Sequence, residues 1–486
     1  MRMCRLSGLV VAGWLAVLPP ATGREMESAD PPEPVAIAES VQLDGAHGEW
    51  PERVWAVADA HHVYARFELP KAVTLLRAPD PVRVHVDFDA GERAGREGHG
   101  LHADVAISIA DPDARNPGRG PDLVVERFDA DGRPRIVEPR DVGLLLAPTH
   151  ASAAFEIRVD RPVGVDGDVR LAIEHAGADG AMRVMKIDAL EAAVAADPRG
   201  FVDGRVPEQA ANTIRVMAWN VLWGGPRENP APFARVLKAV EPQVILFQEW
   251  GRDEGMGEAE MATWLNKHAG WAEGAWSAET GEAWGVGVAS WLPIGARGPD
   301  ELRTAPGGEW DFPVRLAAAA VETEYGPVVF GSVHLKCCGG LESAEDARRM
   351  AEATVINRVL SDMALDNAWG SNPAPVILGG DFNLNGTTDV LETACAALDL
   401  DGSGLEAAAA GVLGDRSAMY TFGRPQSDWP RARLDFITYP DGVATAYNAF
   451  VLDTRMLSEA SLEAMGLERD DVSASDHLPV VVDVGP

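Results

Sequence analysis

Apolar and polar residues alternate with a period of two through the first part of the chain. Val63-Tyr64-Ala65-Arg66-Phe67-Glu68-Leu69 and the run from Val82 to Asp89 show it most clearly. Val54 to Val57, Ala103 to Ile109, Ala154 to Val159 and Val169 to Ile173 follow the same rule. This period predicts strands with one buried face. Turn residues fall between them, as at Asp131-Gly132 and Asp166-Gly167-Asp168. Many short strands with polar turns predict an all-β sandwich over residues 35–187. From Ile214 the pattern changes. Apolar runs at Ile214 to Trp219, Val244 to Phe247, Val328 to His334 and Val376 to Leu378 alternate with helical stretches. Pro232 to Ala239 is one helix. Ser343 to Met363 is another, with Ser343 as cap, Asp346 at N3, and Ala347, Met350, Ala351, Val355, Val359 and Leu360 at helical spacing. Strands interleaved with helices predict α/β layers over residues 213–486. The stretch 188–212 reads as a linker, with a short helix from Ala189 to Ala196 and a turn at Asp197-Pro198-Arg199-Gly200. The expected organisation is thus two domains.

The length of 486 residues accommodates them. Charge changes the picture more than length does. The formal net charge is −33, and an acidic field repels polyanions, which lowers the expectation of a nucleic-acid substrate. The first residues read as a secretion signal over 1–23. Arg2 and Arg5 precede the apolar run Leu6 to Leu18, Pro19-Pro20 end it, and Ala21-Thr22-Gly23 offers small residues for cleavage. The run is shorter than the roughly 20 residues that span a bilayer. The expected location is periplasmic or extracellular. Pro31-Pro32-Glu33-Pro34 reads as a stiff leader. Signal removal leaves Cys337, Cys338 and Cys395. An oxidised pair would join Cys395 to one of the other two, because a bridge between adjacent residues is strained; the alternative is three free thiols.

Six blocks in the second half place metal-capable or proton-capable residues at the ends of apolar strands. They are Trp219-Asn220, Gln248-Glu249, Val333-His334, Gly380-Asp381-Phe382-Asn383, Leu434-Asp435 and Ser475-Asp476-His477. Strand ends in layered sheets gather ligand sites. Buried carboxylates there are normally paired or hold a metal. A Ser475 nucleophile is the weaker reading, since no Gly-x-Ser-x-Gly elbow surrounds it.

Taken together, in this order, these blocks resemble the endonuclease/exonuclease/phosphatase superfamily. Gly285 to Ser290, followed by Pro293-Ile294, matches a further family strand. The resemblance implies a four-layer α/β sandwich of two facing sheets flanked by helices. It implies a Mg²⁺- or Mn²⁺-dependent hydrolase of phosphate esters. Glu249 would be the principal metal ligand, with Asn220 beside it and Asp476 completing the metal region. Asp381 would orient or deprotonate water, and Asn383 would hold the phosphoryl group. His477 would contact phosphate or act as acid/base, oriented by Asp435, and His334 would be a second phosphate donor. Leu222 stands where abasic-site enzymes carry an acidic residue, which leaves one or two metals open. Lys336-Cys337-Cys338-Gly339-Gly340 departs from the common nucleases and reads as a turn or as a phosphate-facing loop. Of Trp219, Trp223, Trp250, Trp284 and Trp429, most read as core, with one or two at a substrate cleft.

The first domain resembles carbohydrate-binding-module family 9-like sandwiches. The matching residues are Leu43-Asp44-Gly45, Glu49-Trp50, Asp87-Phe88-Asp89 and Gly100 to Val105. That resemblance implies contact with a polysaccharide or cell surface, and a structural Ca²⁺ near Asp87 and Asp89; otherwise these aspartates cap a strand and the domain is a spacer. The substrate readings are a lipid head group or small phosphodiester, with an extracellular nuclease as the alternative. A second alternative is a surface- or glycan-binding protein without activity.

Overall fold

The computed structural model describes residues 41–486 except 91–95, 111–121, 163–164, 166, 192–202, 252–256, 271–274, 282–284, 309, 367–372 and 425–428. The signal, the leader at 31–34, the turn at 197–200 and Trp284 therefore lie outside the described residues.

Residues 56–191 supply a two-stranded ribbon, Arg96–Gly98 with Leu101–Ala103, and two large sheets. One has the strand order Leu190–Glu191, Ala56–Ala58, His62–Val73, Ser152–Asp160, Leu145–Ala147. The other runs Met182–Asp188, Arg170–Ala176, Val82–Asp87, Val105–Ile109, Leu123–Phe128, Pro134–Val137. The apolar positions of the period-two pattern meet between them. Val63, Ala65, Phe67, Phe155 and Ile157 share a core with Val84, Val86, Ile107, Leu171 and Ile173. Asp104 interrupts the strand expected over Ala103 to Ile109, and its carboxylate accepts from the Phe88 amide. The short helix expected from Ala189 does not begin there. Leu190 and Glu191 pair instead with Val57 and Ala58, because an open sheet edge takes up the backbone hydrogen bonds. Residues 203–212 are also held rather than free: the Gly204 amide donates to Ser461, and the Ala210 amide to Asp483. Asp87 Oδ2 accepts from Arg170 Nη2 at 3.0 Å. A guanidinium thus already neutralises one carboxylate of the expected Ca²⁺ group.

The polar positions of the five-stranded sheet are buried too. Tyr64, Arg66, Glu156 and Arg158 all lie under cover. Tyr64 and Arg158 meet the second half of the chain, while Arg66 donates to the carbonyls of Pro51 and Val54 and Glu156 accepts from Trp50 and the Gly45 amide. Val57 and Tyr64 join a core that includes Val412 and Tyr420. Arg158 Nη1 donates to Asp415 Oδ2 at 2.7 Å and to Ser417 Oγ at 2.8 Å. The Leu43 amide donates to Ser417 O, and the Ala151 amide to Gly386 O. All described residues fall within one compact unit.

The second half contains a seven-stranded and a six-stranded sheet. The first centres on Val244–Gln248, Ile214–Asn220 and Val480–Gly485; the second on Leu316–Thr323, Gly326–His334, Val376–Asp381 and Asp435–Tyr439. Val216, Leu246 and Val482 from one face Ala319, Phe330 and Ile437 from the other. Helices Pro230–Val240 and Glu258–His268 cover the outside of the seven-stranded sheet through Phe233, Leu237 and Leu265. Helix Ala344–Ala364 covers the six-stranded sheet through Ile356, Val359 and Leu360. The result is the α/β sandwich expected of this half. Gly380 shows how tightly the sheets meet near the site. Its φ is +131°, and a Cβ there would lie 2.3 Å from Val333 O and 2.8 Å from Gln248 Nε2.

Ser343 caps the long helix by accepting from the Asp346 amide at 3.1 Å. Its first turn departs from the expected apolar face: Ala347 is exposed, whereas Asp346 and Arg349 are buried. The reason is a polar clamp. Arg349 donates to Asp346 Oδ1 and to the carbonyls of Lys336 and Cys338, while Asp346 accepts from the Thr387 amide.

Arg158 is 2% exposed, so removing its partner strands a buried charge. Asp415→Ala is expected to cost about 3 kcal/mol in denaturant unfolding. Burial pushes the Asp415 carboxyl up, but Arg158 and His62 outweigh it and hold it below its ordinary value. Its contribution is therefore complete above the unfolded value of about 3.9 and is lost as pH falls through the lower folded value. The stability gap between the unaltered chain and the variant should close only in that acid range.

Candidate active site

Ladder register gathers the strand ends. Asn220 pairs with Gln248, His334 with Asp381, and Asp381 with Asp435. Glu249 follows Gln248 with φ 56°, and Asn383 follows Asp381 with φ 47°. Such left-handed non-glycine residues each cost about 1–3 kcal/mol and cluster at functional sites.

The side chains converge. Asn220 Nδ2 donates to Glu249 Oε1 and to Asp381 Oδ2, both at 3.2 Å. His334 Nε2 lies 3.5 Å from Asp381 Oδ2 and 3.8 Å from Glu249 Oε1. His477 Nε2 lies 3.6 Å from Asp381 Oδ2, and its Nδ1 meets Asp435 Oδ2 at 2.8 Å. The Asn383 amide donates to Asp381 Oδ1, and its side chain to Leu335 O. Asp476 lines the same cleft, and its charge acts on Glu249 and His477. All eight residues singled out from the sequence thus border one site. Ser475 is not free to attack anything: its hydroxyl donates to Asn220 O at 2.7 Å.

Thr421 was not foreseen. Its hydroxyl donates to Asp435 Oδ2 and accepts from the amides of Leu434 and Asp435. It lies outside every strand-end block, so no local signal marks it. Arg315, buried near His334 and Asp381, was missed for the same reason. Of the described tryptophans, Trp219 and Trp250 are core, and Trp429 lines the cleft.

Electrostatics separates the roles. Burial pushes the Glu249 carboxyl up, against Asn220 and His477. Burial also pushes Asp381 up, with His477 opposing and Asp435 reinforcing. Burial draws His477 down, but Asp435 and Asp381 outweigh it and push it up to about 10. Burial and then Arg315 draw His334 well below its ordinary value. One imidazole is therefore cationic and the other neutral at pH 7.

Among the described residues, neither Glu249 nor Asp381 has a Lys or Arg ion-pair partner, yet they are 8% and 1% exposed. Buried carboxylates in this condition fit a divalent cation. Asp381, Asp435 and His477 also converge closely enough for a metal. His477 Nδ1 is already engaged by Asp435, so that triple reads as a proton-handling chain.

The endonuclease/exonuclease/phosphatase family model matches residues 217–477, and the chain belongs to that family. No curated protein matches the chain. Among solved structures, an endonuclease/exonuclease/phosphatase family protein from Leptotrichia buccalis C-1013-b is 18% identical, with a TM-score of 0.37, covering 56% of this chain and 99% of that one. Sphingomyelinase C from Streptomyces griseocarneus is 15% identical with a TM-score of 0.36, and covers 56% and 99%. D. rerio TDP2, complexed with single strand DNA product, is 16% identical with a TM-score of 0.36 and the same coverages.

Cys337 and Cys338 also line the cleft, with their sulfurs 3.0 Å apart, and the three described cysteines are free. Of the two alternatives the structure has the free thiols, with Cys395 buried against Thr438. The Cys338 thiol pulls Cys337 down to about 5, against burial and with help from Lys336. Burial pushes Cys395 up to about 11. Iodoacetamide at pH 7 should therefore label Cys337 well before Cys395 in a peptide-mass time course. Equal labelling of the two in the folded chain would contradict this assignment.

Proposed function

We propose that the chain is a divalent-metal-dependent hydrolase of phosphate esters, exported from the cytoplasm, in which water attacks phosphorus in line. The observation that carries this reading is the meeting of four side chains at the floor of one cleft, where both imidazole Nε2 atoms, of His334 and His477, lie within 3.6 Å of Asp381 Oδ2 and that of His334 lies 3.8 Å from Glu249. Glu249 and Asn220, with Asp476 at the cleft edge, would hold Mg²⁺ or Mn²⁺. When bound, the ion supplies positive charge for the phosphoryl oxygens.

The chain's own residues do the rest. Asp381 orients the attacking water and takes its proton. Its raised affinity for a proton suits it to that role. His477, kept cationic by Asp435, donates toward the phosphoryl or leaving oxygen. Thr421 fixes Asp435 so that the imidazole ring keeps one orientation. His334, neutral, donates a second hydrogen bond to the phosphoryl group. The Asn383 amide, held by Leu335 O, has a second N–H for the same group. The acidic net charge of −33 favours a lipid head group or small diester over nucleic acid. A glycan- or surface-binding role for the N-terminal sheets belongs to the same proposal; a glycan array probed with the full chain tests it, and no retained glycan removes it.

Purified chain should be assayed with Mg²⁺, Mn²⁺ or EDTA against bis(p-nitrophenyl) phosphate, sphingomyelin, RNA and DNA. Hydrolysis of a non-nucleic ester, abolished by EDTA, is the expected result. Asp381→Ala and His477→Ala should each lower kcat by about 10²–10⁴-fold while leaving the unfolding midpoint close to that of the unaltered chain. Near-normal turnover in either variant rules out its assigned role.

A further inference from the structure

The cleft over Asp381 and His477 encloses about 270 Å³, and only its floor carries the chemistry. The opposite wall comes from the N-terminal half, through the 3-10 turn Leu75–Arg77 and the segment from Leu146 to Thr149. This wall is fastened to the catalytic loops. Thr74 Oγ1 donates to Asn385 O at 2.6 Å and accepts from the Leu341 amide at 2.9 Å. One hydroxyl therefore ties the wall to the loop after Asn383 and to the turn after His334. On the other side the Arg433 amide donates to Thr149 Oγ1 at 2.9 Å, two residues from Asp435. The surface so positioned is mostly apolar: Leu75, Leu76, Leu146 and Pro148 line the cleft together with Trp429. The Arg77 guanidinium lies 5.9 Å from the Trp429 ring centroid, at the mouth.

We infer that this wall is a subsite for the organic group of the substrate, and that the group is a compact apolar or aromatic alcohol esterified to phosphate. The inference rests on the phosphoester-cleaving reading of Asp381 and His477. A phosphoryl group on the polar floor directs its ester substituent toward Leu76, Leu146 and Trp429. The volume sits at the lower edge of small-molecule pockets, which run from about 300 to 1,000 Å³. Thr74 is a positioning residue: it touches no substrate and acts by holding the turn.

Two diesters with one leaving group isolate the subsite. Bis(p-nitrophenyl) phosphate carries a second aromatic group, and methyl p-nitrophenyl phosphate carries a methyl in its place. With the full chain in Mg²⁺, kcat/KM should favour the aromatic diester by about tenfold or more, expressed mainly in KM. Leu76→Asp and Arg77→Ala should pull that ratio toward one. Arg77 is exposed, so its variant keeps the test open if Leu76→Asp fails to fold. Thr74→Val should weaken the preference, and Thr74→Ser should restore it. A ratio near one in the unaltered chain, or a ratio unmoved by both Arg77→Ala and Thr74→Val, overturns the subsite while leaving the catalytic reading intact. No hydrolysis of either diester by the unaltered chain overturns both.

Discussion

Two carboxylates, Glu249 and Asp381, are buried side by side and bridged by the Asn220 amide. Much of the second half can be read as the scaffold that makes this tolerable. Like charges in a low-dielectric site resist joint ionisation, and burial raises both groups. The fold answers with position rather than with a fixed ion pair. Paired strand ends set the spacing, and the contact of the two sheets at Gly380 leaves no slack there. The charge that balances the pair must come partly from His477 and partly from what the site binds. A permanent Arg or Lys partner would stabilise the empty site and remove its capacity to take up a cation.

The two histidines illustrate the same economy. Their rings approach the same Asp381 oxygen, yet their environments drive them apart. His477 has Asp435 behind it; His334 has Arg315 nearby, and its Nδ1 has no hydrogen-bond partner. One fold edge thus offers a charged donor and a neutral one within a single cleft, without any change of residue type.

The strand-end blocks were legible in the sequence because each functional residue sits beside the apolar run that positions it. Asn220, Glu249, His334, Asp381, Asp435 and His477 all follow that rule. Thr421, Arg315 and Thr74 act through partners far along the chain; Arg315 and Thr74 also flank strands, at Leu316–Thr323 and His62–Val73, but neither belongs to the six blocks that carried the reading. The alternation in the first half gave the strands but misled about their surroundings. Tyr64 and Arg158 occupy positions that a free-standing sandwich would turn to water, and here they meet the second half, while Glu156 is covered by the segment around Gly45 and Trp50. Ala347 failed as a core position because helix spacing cannot reveal that Asp346 and Arg349 are needed on the inner face to hold loops. A period reports which residues share a side; it does not report whether that side meets apolar or polar neighbours.

Arg349 has a consequence for motion. Its guanidinium holds the carbonyls of Lys336 and Cys338, and through Asp346 it also reaches the Thr387 amide. Two stretches of chain that border the cleft are thereby yoked to the first turn of one helix. Displacing either from that turn means breaking hydrogen bonds of one shared Asp346–Arg349 pair, so the rim on this side is anchored to a helix and not to its own loops alone.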